Sequence, residues 1–574
     1  MSNEFCEKYH YNDYQNTLEK NELFYIKLFP RKGNSKMSEK DNLVSRRGFL
    51  KKTALLGAGL AATGSMVACA PADGTSETIK WDKEVDVVVV GSGTVAIAAI
   101  AAKDAGAESV LILEKGPAFG GTSALSGGGF WIPMNYPMAA EGLEDNREDA
   151  YKYMKAISAG QSNDELINTY LDNANKMLEW LRDKFQYEWV LAGTTYQDYY
   201  EMPGFRPKGR QVAIAVDGKK ASGAGAWQYI RATVDSLGIE VMTETAGMEL
   251  VTNAAGEVIG VIAEGIDGKL TIKAKKGVIL GTGGFDFNRD MTTAFLRGPI
   301  FASNAVQTNT GDGHLMGMAL GADLRNMNSC WGLPFFPLDP EKLMGEADWQ
   351  IYRGKPGAIV VNKYGERIGN EASAYHVFNR AFWNWDTGTF EWRNTPSFWI
   401  CDSSFQERYF MPGSGYQVGV VPEWMAQAET LEELCEKLGI NADGLNATLT
   451  VFNANAENGV DPDWHRGEYQ FDLNTAGDAS RTDLKNICLA PIAKGPFFGS
   501  KYVPGTCGTN GGLRINANAQ VINVKGQPIP RLYAVGNTSG SVMGDAYAGG
   551  GSCLGSGGVF GMLAGRHAAG LESI

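Results

Sequence analysis

The sequence predicts an α/β protein in which a nucleotide-binding domain is interrupted by an inserted α+β domain. Residues 84–130 read as a strand, a glycine turn, a helix and a second strand. A similar apolar strand that ends in glycine recurs near the C-terminus, from Leu532 to Gly536. The stretch between them changes character from about residue 334 and is rich in Trp and Phe. An α/β core with an insertion accounts for all three observations.

The first unit has the pattern of a Rossmann-like βαβ motif. Val85–Val90 is a buried-strand pattern, and Gly91–Gly93 is the turn that follows it. An alanine-rich helix is predicted over Val95–Ala105, and a second apolar strand over Ser109–Leu113. Glu114 ends that strand. This order is typical of dinucleotide-binding folds.

The turn has the chemistry needed to bind a pyrophosphate. Gly91 and Gly93 let the backbone approach the phosphates, which the helix N-terminus stabilises, and Ala96 is an accepted variant of the third glycine. Glu114 follows Gly91 by 23 residues, where a carboxylate can accept from an adenosine ribose. The alternative is a tight turn in an unrelated α/β protein. The flanking strand and helix and the spaced Glu disfavour it.

A second glycine run indicates FAD rather than NAD. Gly120–Ser123 and Ser126–Gly129 come just after the acidic residue, where a flavin needs close backbone approach beyond its pyrophosphate. Gly makes up 72 of 574 residues and is concentrated in such clusters, which favours cofactor-binding loops over low complexity. The residues predicted to hold FAD are Gly91, Gly93, Thr94, Val95, Ala96, Glu114, Lys115, Gly121, Thr122, Ser123, Ser126, Gly127, Gly128, Gly129, Gly283, Gly284, Asp312, Gly536, Asn537, Gly551, Cys553 and Leu554.

Composition excludes several other classes of protein. The net charge of −13 argues against a nucleic-acid partner and against a basic membrane-binding patch. The eight Cys are scattered without a CxxC or CxxCH motif, so no iron–sulfur cluster, c-type haem or zinc ribbon is predicted. With only five His, no metal site is predicted.

The N-terminal region carries an export signal. Residues 1–36 are of uncertain role, and translation starting at Met37 is one hypothesis for them. Residues 37–70 contain the twin-arginine signal Ser45–Lys52, then an apolar run, Thr53–Ala68, too short to span a membrane. Met66–Cys69 resembles a lipobox, so we expect export and a lipid anchor at Cys69. The alternative, cleavage near Ala70 to a soluble product, is disfavoured by the next residue, a proline.

The remaining chain divides into three predicted parts. Residues 80–333 and 502–574 form the two parts of the FAD-binding domain, and residues 334–501 form the capping or catalytic α+β domain. Helical periodicity is predicted over Asp145–Phe185. Further helices are predicted over Thr430–Leu438, Leu445–Glu457 and Val559–Ala569.

Five motifs give the chain a family resemblance. It resembles the fumarate reductase/succinate dehydrogenase flavoprotein superfamily, and within it most of all the 3-ketosteroid Δ1-dehydrogenase branch. The resemblance runs from Val85 to the end of the chain. The motifs are Ser126–Pro133, Asn362–Glu371, Gly459–Gly467, Gly508–Arg514 and Ala534–Tyr547.

The chain departs from the fumarate reductases at two places. Those enzymes have a His where Thr509 and Asn510 stand, and an Arg in the region of Asp545–Gly549. A small dicarboxylate needs guanidinium clamps, so these differences argue against fumarate or succinate. Other arginines, Arg367, Arg380 and Arg393, leave a carboxylate substrate open.

The steroid branch implies a set of site residues. In that branch a Tyr hydroxyl and a backbone N–H four residues later bind the ketone oxygen, which corresponds here to Tyr547 and Gly551. A Tyr after the Asn–Glu pair faces the adjacent carbon, and Tyr375 fits. A third Tyr comes from the aromatic loop. Tyr199 is the first choice for it.

Two points of that assignment stay open. Tyr196 and Tyr200 are alternatives to Tyr199. The glycines after Tyr547 lack the flanking prolines of the branch, which makes that loop freer. Asp312 has an alternative role as a helix cap, and Cys553 as an inert small residue.

The predicted chemistry is hydrogen transfer across a C=C bond conjugated to a ketone. Flavin N5 carries the hydride, Tyr375 carries the proton, and Tyr547 with the Gly551 N–H forms an oxyanion hole. A tyrosine with a pKa near 10 serves more easily as acid than as base, which favours the reductive direction. With 22 Tyr in the chain, the alternative for any one of them is simple packing.

The predicted function is an exported FAD-dependent oxidoreductase for an external enone or 3-oxosteroid-like compound. Since no redox centre is fused to the chain, a separate cytochrome, quinone-linked protein or flavoprotein is expected to supply electrons. Two alternatives stay open. One is a reductase of unsaturated carboxylates such as fumarate, urocanate or cinnamates, and the other is a binding lipoprotein with vestigial FAD.

Overall fold

A computed structural model describes residues 79–193 and 198–571 of the protein. The N-terminal extension, the export signal, the proposed lipidation site Cys69 and the alternative residue Tyr196 lie outside these ranges. Within them, no helix combines the length and the apolar composition that crossing a membrane requires. Nor do His, Cys, Asp and Glu side chains of the described residues form a group that could hold a metal ion.

The strands are numbered in chain order. They are β1 (Lys83–Val90), β2 (Val110–Leu113), β3 (Gly129–Trp131), β4 (Glu188–Leu191), β5 (Gln211–Val216), β6 (Lys219–Lys220), β7 (Glu240–Met242), β8 (Ala246–Thr252), β9 (Val258–Gly265), β10 (Gly268–Leu280), β11 (Leu324–Arg325), β12 (Cys330–Asp339), β13 (Met344–Ala347), β14 (Ala358–Asn362), β15 (Trp385–Asp386), β16 (Glu391–Trp392), β17 (Ser397–Asp402), β18 (Ala426–Ala428), β19 (Phe497–Thr509), β20 (Gly512–Leu513), β21 (Gln520–Ile522) and β22 (Pro528–Ala534).

The helices are numbered in the same way. They are α1 (Ala96–Asp104), α2 (Gly121–Leu125), α3 (Tyr136–Ala140), α4 (Arg147–Ile157), α5 (Asp164–Phe185), α6 (Gly223–Ser236), α7 (Arg289–Phe295), α8 (Asp312–Ala319), α9 (Tyr375–Asn379), α10 (Ser403–Gln406), α11 (Leu431–Leu438), α12 (Ala442–Asn458), α13 (Gln470–Thr475) and α14 (Ser552–Ala569). Short 3₁₀ turns occur at Arg380–Trp383 and Gly536–Thr538.

The largest sheet is the predicted nucleotide-binding sheet. Its strand order is β21-β22-β10-β1-β2-β7, and β22, β10, β1, β2 and β7 run parallel. The apolar run at Val87–Val90 is almost completely buried because it occupies the centre of this sheet. β8 and β9 extend the sheet as an antiparallel hairpin on β10. The α/β fold class predicted from the sequence is confirmed.

Helix α14 packs against α1 through small residues. A Cβ added at Gly565 would lie 2.2 Å from the carbonyl oxygen of Ala98, and one at Gly557 would lie 2.5 Å from Oγ1 of Thr94. Gly561 lies between them on the same face, since residues four apart in a helix align. The predicted helix over Val559–Ala569 in fact begins at Ser552. Part of the C-terminal glycine cluster therefore serves helix packing and does not form a cofactor-binding loop.

A second sheet has the order β13-β12-β19-β17-β14, with β18 also paired to β19. Helices α11 and α12 pack beside it, close to their predicted bounds. Thr430 and Asn441 cap their N-termini, and Gly439 and Gly459, both with φ of 75°, end them. The predicted domain limits at 333/334 and 501/502 lie inside β12 and β19, and they stay predictions.

A smaller sheet, β3-β5-β4 with β6 on β5, lies near the FAD-binding turn in sequence. Helices α4 and α5 occupy the region predicted to be helical from Asp145 to Phe185, but the helix is interrupted between Ser158 and Asn163. Asn146 and Asn163 cap the two helices by accepting from backbone N–H groups of their first turns. The apolar side of α5 is buried in the main core.

Candidate active site

The turn between β1 and α1 accepts only glycine at its first position. Gly91 has φ of 105°, and a Cβ there would lie 2.2 Å from the carbonyl oxygen of Gly281 at the end of β10. A Cβ at Gly93 would meet Oγ of Ser123 at 3.1 Å. The N–H groups of Ala96 and Ile97 donate to the carbonyls of Gly93 and Thr94 at 3.0 and 3.1 Å, so α1 continues directly from the glycine turn. This geometry is compatible with the predicted anion-binding helix start, which stays a prediction.

Glu114 lies at the end of β2 in a buried position. Its carboxylate accepts from Ser92 Oγ at 2.5 Å and from the Gly116 N–H at 2.6 Å, and Ser92 Oγ accepts in turn from the Gly120 N–H. Burial raises the pKa of Glu114, and these donors oppose that effect. Glu114 therefore links the two glycine turns that flank the predicted ribose position.

Lys115 and Asp312 form an ion pair with each other. Lys115 Nζ lies 2.9 Å from Asp312 Oδ2 and 2.7 Å from Thr310 Oγ1. Asp312 is the first residue of α8, and the preceding Gly311 has φ of 79°. The pair connects the segment after Glu114 to the start of α8. These two predicted FAD residues come together.

The remaining glycine-rich segments form a cradle that fits FAD. No atom lies within 4 Å of a Cβ added at Gly121 or Gly127, so both positions face open space. A Cβ at Gly283 or Gly284 would instead collide with Asn309 or Thr509, at 2.4 and 2.3 Å. The segments around Gly121 and Gly127 thus leave room for a ligand, whereas the segment at Gly283 and Gly284 is closely packed. A long cofactor can lie along such a surface. The predicted residues Thr94, Val95, Ala96, Thr122, Ser123, Ser126, Gly128, Gly129 and Gly536 belong to these same turns and helix starts.

The N-terminus of α14 adds a second positive helix end. Gly551 is its N-cap, with φ of 93°, and a Cβ there would lie 2.5 Å from the backbone of Gly129. Cys553 and Leu554 lie in the first turn, whose N–H groups have no partner within the helix. Asn537 Oδ1 accepts from Trp331 Nε1 at 2.9 Å and from Cys553 Sγ at 3.2 Å. This end of the helix is placed to stabilise negative charge.

Three tyrosines meet beside this helix. The hydroxyls of Tyr199 and Tyr375 are 3.1 Å apart, and their ring centroids are 5.5 Å apart. The ring of Tyr547 lies 5.5 Å from that of Tyr199 and 5.8 Å from that of Tyr375. The structure thus places Tyr199, the first choice of the aromatic loop, in the cluster with Tyr375 and Tyr547. Trp331, Trp349 and Phe471 pack around it.

Burial keeps these phenols protonated. Removal from water raises the pKa of Tyr199, and raises those of Tyr375 and Tyr547 well above their usual range. The same effect raises the pKa of the neighbouring Tyr200 to about 12. Near neutral pH the cluster is therefore a set of hydrogen-bond and proton donors.

A buried ion pair that the sequence analysis missed holds Tyr199 in place. Arg210 donates to Asp198 at 2.8 Å and to Asp145 at 2.7 Å, and all three side chains have 0% exposure. Asp198 also accepts from Trp131 Nε1 at 2.8 Å. Burial raises the pKa of Asp198 to about 6, and Arg210 opposes that effect. The Gly209-Arg210 pair after the aromatic loop was the only signal for it in the sequence.

Arg367, Arg380 and Arg393, which the sequence analysis kept as possible ligands of a substrate carboxylate, lie in different surroundings. Arg367 is buried between Glu371 and Asp461. Arg393 pairs with Glu366 and Asp386. Arg380 alone among the three contacts the loop that carries Tyr547, through Asp545, and its side chain is 40% exposed.

A glycine cradle, a buried acidic residue after β2 and a proton-donating cluster beside a helix start define a flavin-dependent oxidoreductase of CH–CH groups. Comparison with known proteins shows the family. The protein-family model described as "FAD binding domain" matches residues 86–554 of this chain. The chain therefore belongs to this family of FAD-binding flavoproteins, within the predicted fumarate reductase/succinate dehydrogenase superfamily, and its cofactor is FAD.

Several of the similar proteins are named for ring-ketone substrates. The 4-oxocyclohexanecarboxylate 2-dehydrogenase of Sinomonas cyclohexanicum is 31% identical over 84% of this chain and 93% of its own length. The 3-oxosteroid 1-dehydrogenase of Mycobacterium tuberculosis H37Rv is 33% identical over 85% of this chain and 98% of its own. The crystal structure of 3-ketosteroid Δ1-dehydrogenase from Sterolibacterium denitrificans matches with a TM-score of 0.78 at 29% identity, covering 85% of this chain and 99% of that one.

Substitution of Gly127 tests the cradle. Since a Cβ at Gly127 faces open space, we expect Gly127→Ala to change the unfolding free energy of the apoprotein by less than about 0.5 kcal/mol. FAD retention during gel filtration should fall, because the methyl group occupies cofactor space. Gly551→Ala, which forces a backbone collision, should lose the folded protein instead. Full FAD retention in Gly127→Ala would contradict the placement.

Proposed function

We propose that the protein transfers hydrogen to, or removes it from, a C=C bond conjugated to a ring ketone, with a 3-oxosteroid-like compound as substrate. The observation that carries the proposal is the convergence of Tyr199, Tyr375 and Tyr547 beside the start of α14. An enone needs a proton at its α-carbon and donors at its oxygen, and this cluster has both. The ring ketones in the names of the similar proteins support the same substrate class.

Each residue has a distinct role in this proposal. Bound FAD, held by the turns around Gly91, Gly121 and Gly283, supplies hydride chemistry. Tyr547 and the N–H of Gly551 donate to the ketone oxygen, where negative charge develops. Tyr375 passes a proton to the α-carbon. The hydroxyl of Tyr199, 3.1 Å away, donates to Tyr375 as that proton leaves.

The protonation state of the cluster favours reduction. Because burial raises the pKa of Tyr375, the hydroxyl form is stable at neutral pH and is ready to act as an acid. Dehydrogenation would require the tyrosinate, which the same burial disfavours. The reductive direction therefore starts from the protonation state that Tyr375 has at neutral pH, and the tyrosinate left by proton transfer takes up a proton again before the next turnover.

A reductase of an unsaturated carboxylate is the second candidate. The exposure of Arg380 next to the loop that carries Tyr547 favours it, since a guanidinium can hold a carboxylate. Asp545 already neutralises much of that charge, which makes the enone the better candidate.

The sequence further supports an exported, lipid-anchored protein that receives electrons from a separate carrier. The support is the twin-arginine signal Ser45–Lys52, the lipobox at Met66–Cys69 and the absence of a fused haem or iron–sulfur motif in the sequence.

Two conservative substitutions test the roles of the tyrosines. Tyr547→Phe should slow reoxidation of the reduced flavin by a 3-oxo-Δ4 or 3-oxo-Δ1 steroid about 10²- to 10³-fold, since it removes one oxyanion donor. Tyr375→Phe should slow it about 10²- to 10⁴-fold through loss of the proton donor. Stopped-flow absorbance at the flavin band measures both. Tyr533→Phe, which alters a hydroxyl bonded to His567, is the control and should react normally. Rapid reoxidation by fumarate, urocanate or cinnamate alone would contradict the enone proposal.

The pH dependence should differ between the two directions. Because burial raises the pKa of Tyr375 in the folded protein, this residue stays protonated from about pH 6 to 9. The rate of enone reduction should therefore not change with pH over that range. Dehydrogenation of a saturated ketone needs the tyrosinate, so its rate should rise about tenfold per pH unit over that range. The slope should vanish in Tyr375→Phe. A reduction rate that falls between pH 7 and 8 would point to a different acid.

The proposed anchor can be tested in a bacterial host with the twin-arginine route. The wild-type protein should sediment with membranes, and Cys69→Ser should leave it in the soluble fraction or as an unprocessed precursor. Replacing Arg46 and Arg47 with Lys should prevent export. A wild-type protein that is soluble after cell breakage would contradict lipidation.

A further inference from the structure

Two arginines converge on one buried carboxylate, Asp545, in the loop that carries Tyr547. Asp545 Oδ2 accepts from Arg297 Nη2 at 2.5 Å, and its Oδ1 accepts from Ser329 Oγ at 2.5 Å and lies 3.4 Å from Arg380 Nη2. The Asp545 side chain is 9% exposed, whereas those of the two arginines are 38% and 40% exposed. Arg380 also donates to the backbone carbonyl of Asp545. Asp545 is therefore held at both its side chain and its backbone. We call Arg297, Asp545 and Arg380 the arginine clamp.

The arginine clamp connects the segments that carry two catalytic tyrosines. Arg380 directly follows α9, whose first residue is Tyr375. Asp545 precedes Tyr547 by two residues. One side chain, that of Arg380, thus ties the helix of the proton donor to the loop of the oxyanion donor. The ring centroids of Tyr375 and Tyr547 are 5.8 Å apart.

His376 fills the space between Arg380 and Tyr547. Its Nδ1 accepts from the Gly332 N–H at 3.1 Å, and its Nε2 lies 3.1 Å from Arg380 Nη2. The imidazole centroid lies 6.2 Å from that of Tyr547. Burial and the Arg380 charge lower the pKa of His376 to about 3, so the ring is neutral and acts as a rigid spacer.

We propose that Arg380 is a positioning residue that sets the distance between Tyr375 and Tyr547, with Arg297 and Asp545 fixing its position. The proposal rests on the proposed function, because it assigns Arg380 an effect through the two tyrosines. Reacting groups must be held within fractions of an ångström, and a displacement of about 1 Å can reduce a rate about 10²-fold. The enone oxygen on Tyr547 and its α-carbon beside Tyr375 are neighbours in one rigid molecule. The two hydroxyls must therefore keep a fixed separation.

The test compares five variants of the FAD-loaded protein, one of which is Tyr547→Phe alone. Arg380→Ala breaks the clamp, and Arg380→Lys keeps the charge but cannot hold the carbonyl and carboxylate with one planar group. Arg393→Ala is the matched control: it removes an arginine of similar exposure, in the ion pairs to Glu366 and Asp386, in the same part of the chain. The fourth variant is the double substitution Arg380→Ala with Tyr547→Phe. FAD content, thermal unfolding and the saturation curve for enone reoxidation are measured for each.

The positioning role predicts a specific pattern. Arg380→Ala should lower the limiting rate about tenfold to 10²-fold with the half-saturating enone concentration unchanged within twofold and FAD content intact. Arg380→Lys should recover part of the rate, and Arg393→Ala should react normally. In the Tyr547→Phe background the loss from Arg380→Ala should largely disappear, since the clamp then has no oxyanion donor to position.

Other results would overturn the proposal in distinguishable ways. A limiting rate within twofold of wild type in Arg380→Ala would exclude a positioning role. So would a fall in FAD content and thermal stability that is large enough to account for the whole fall in rate. A change confined to the half-saturating concentration would make Arg380 a substrate ligand and favour the carboxylate candidate. Losses that multiply in the double variant would show that Arg380 acts independently of Tyr547. A normal rate in Tyr547→Phe alone would reject the proposed function, and the clamp proposal with it.

Discussion

The active site depends on one buried cation, Arg210, placed between Asp145 and Asp198. All three side chains are removed from water, and the two ion pairs of Arg210 are shorter than the 3.8 Å that separates Arg206 Nε from Asp145. Loss of one member of such a group commonly costs about 3–5 kcal/mol, because the remaining charge stays buried. The arrangement therefore fixes the position of Asp198 as well as contributing to stability. Asp198 can be buried at this position only if Arg210 is buried beside it and neutralises its charge.

That placement brings the segment of Tyr199 against the segment of Tyr547. Asp198 pairs with Gly549 as a backbone bridge, and the Tyr199 N–H donates to the Ala548 carbonyl at 3.0 Å. The hydroxyl of Tyr153 donates to the same carbonyl at 2.6 Å. The aromatic loop and the loop after Tyr547 are thus joined through their backbones. The buried arginine aligns two segments almost 350 residues apart, as the sequence separation of Tyr199 and Tyr547 shows.

Sequence reasoning worked where a residue type has one physical use. Gly91 is required because no side chain fits beneath the Gly281 carbonyl, and such turns are recognisable from spacing alone. The assignment of Tyr375 and Tyr547 came from motif resemblance. Nothing local to either residue distinguishes them among 22 tyrosines. The Arg210 pair and the arginine clamp were not predicted, because both are contacts between distant segments that leave no periodic pattern. The start of α14 was misplaced because the run Gly549–Gly558 read as a loop, although Gly557 shares a helix face with Gly561 and Gly565, which the predicted helix already contained.

Removal of the site from water has a second consequence, for the thiols beside it. Burial raises the pKa of Cys507 well above its usual range and that of Cys553 to about 12. Thiolates attack conjugated ketones, whereas neutral thiols are poor nucleophiles. The burial that keeps Tyr375 and Tyr547 protonated therefore also disfavours the thiolate form of both cysteines. A single physical condition, a dry aromatic pocket, suits the site to proton donation and protects it from alkylation by the substrate proposed for it.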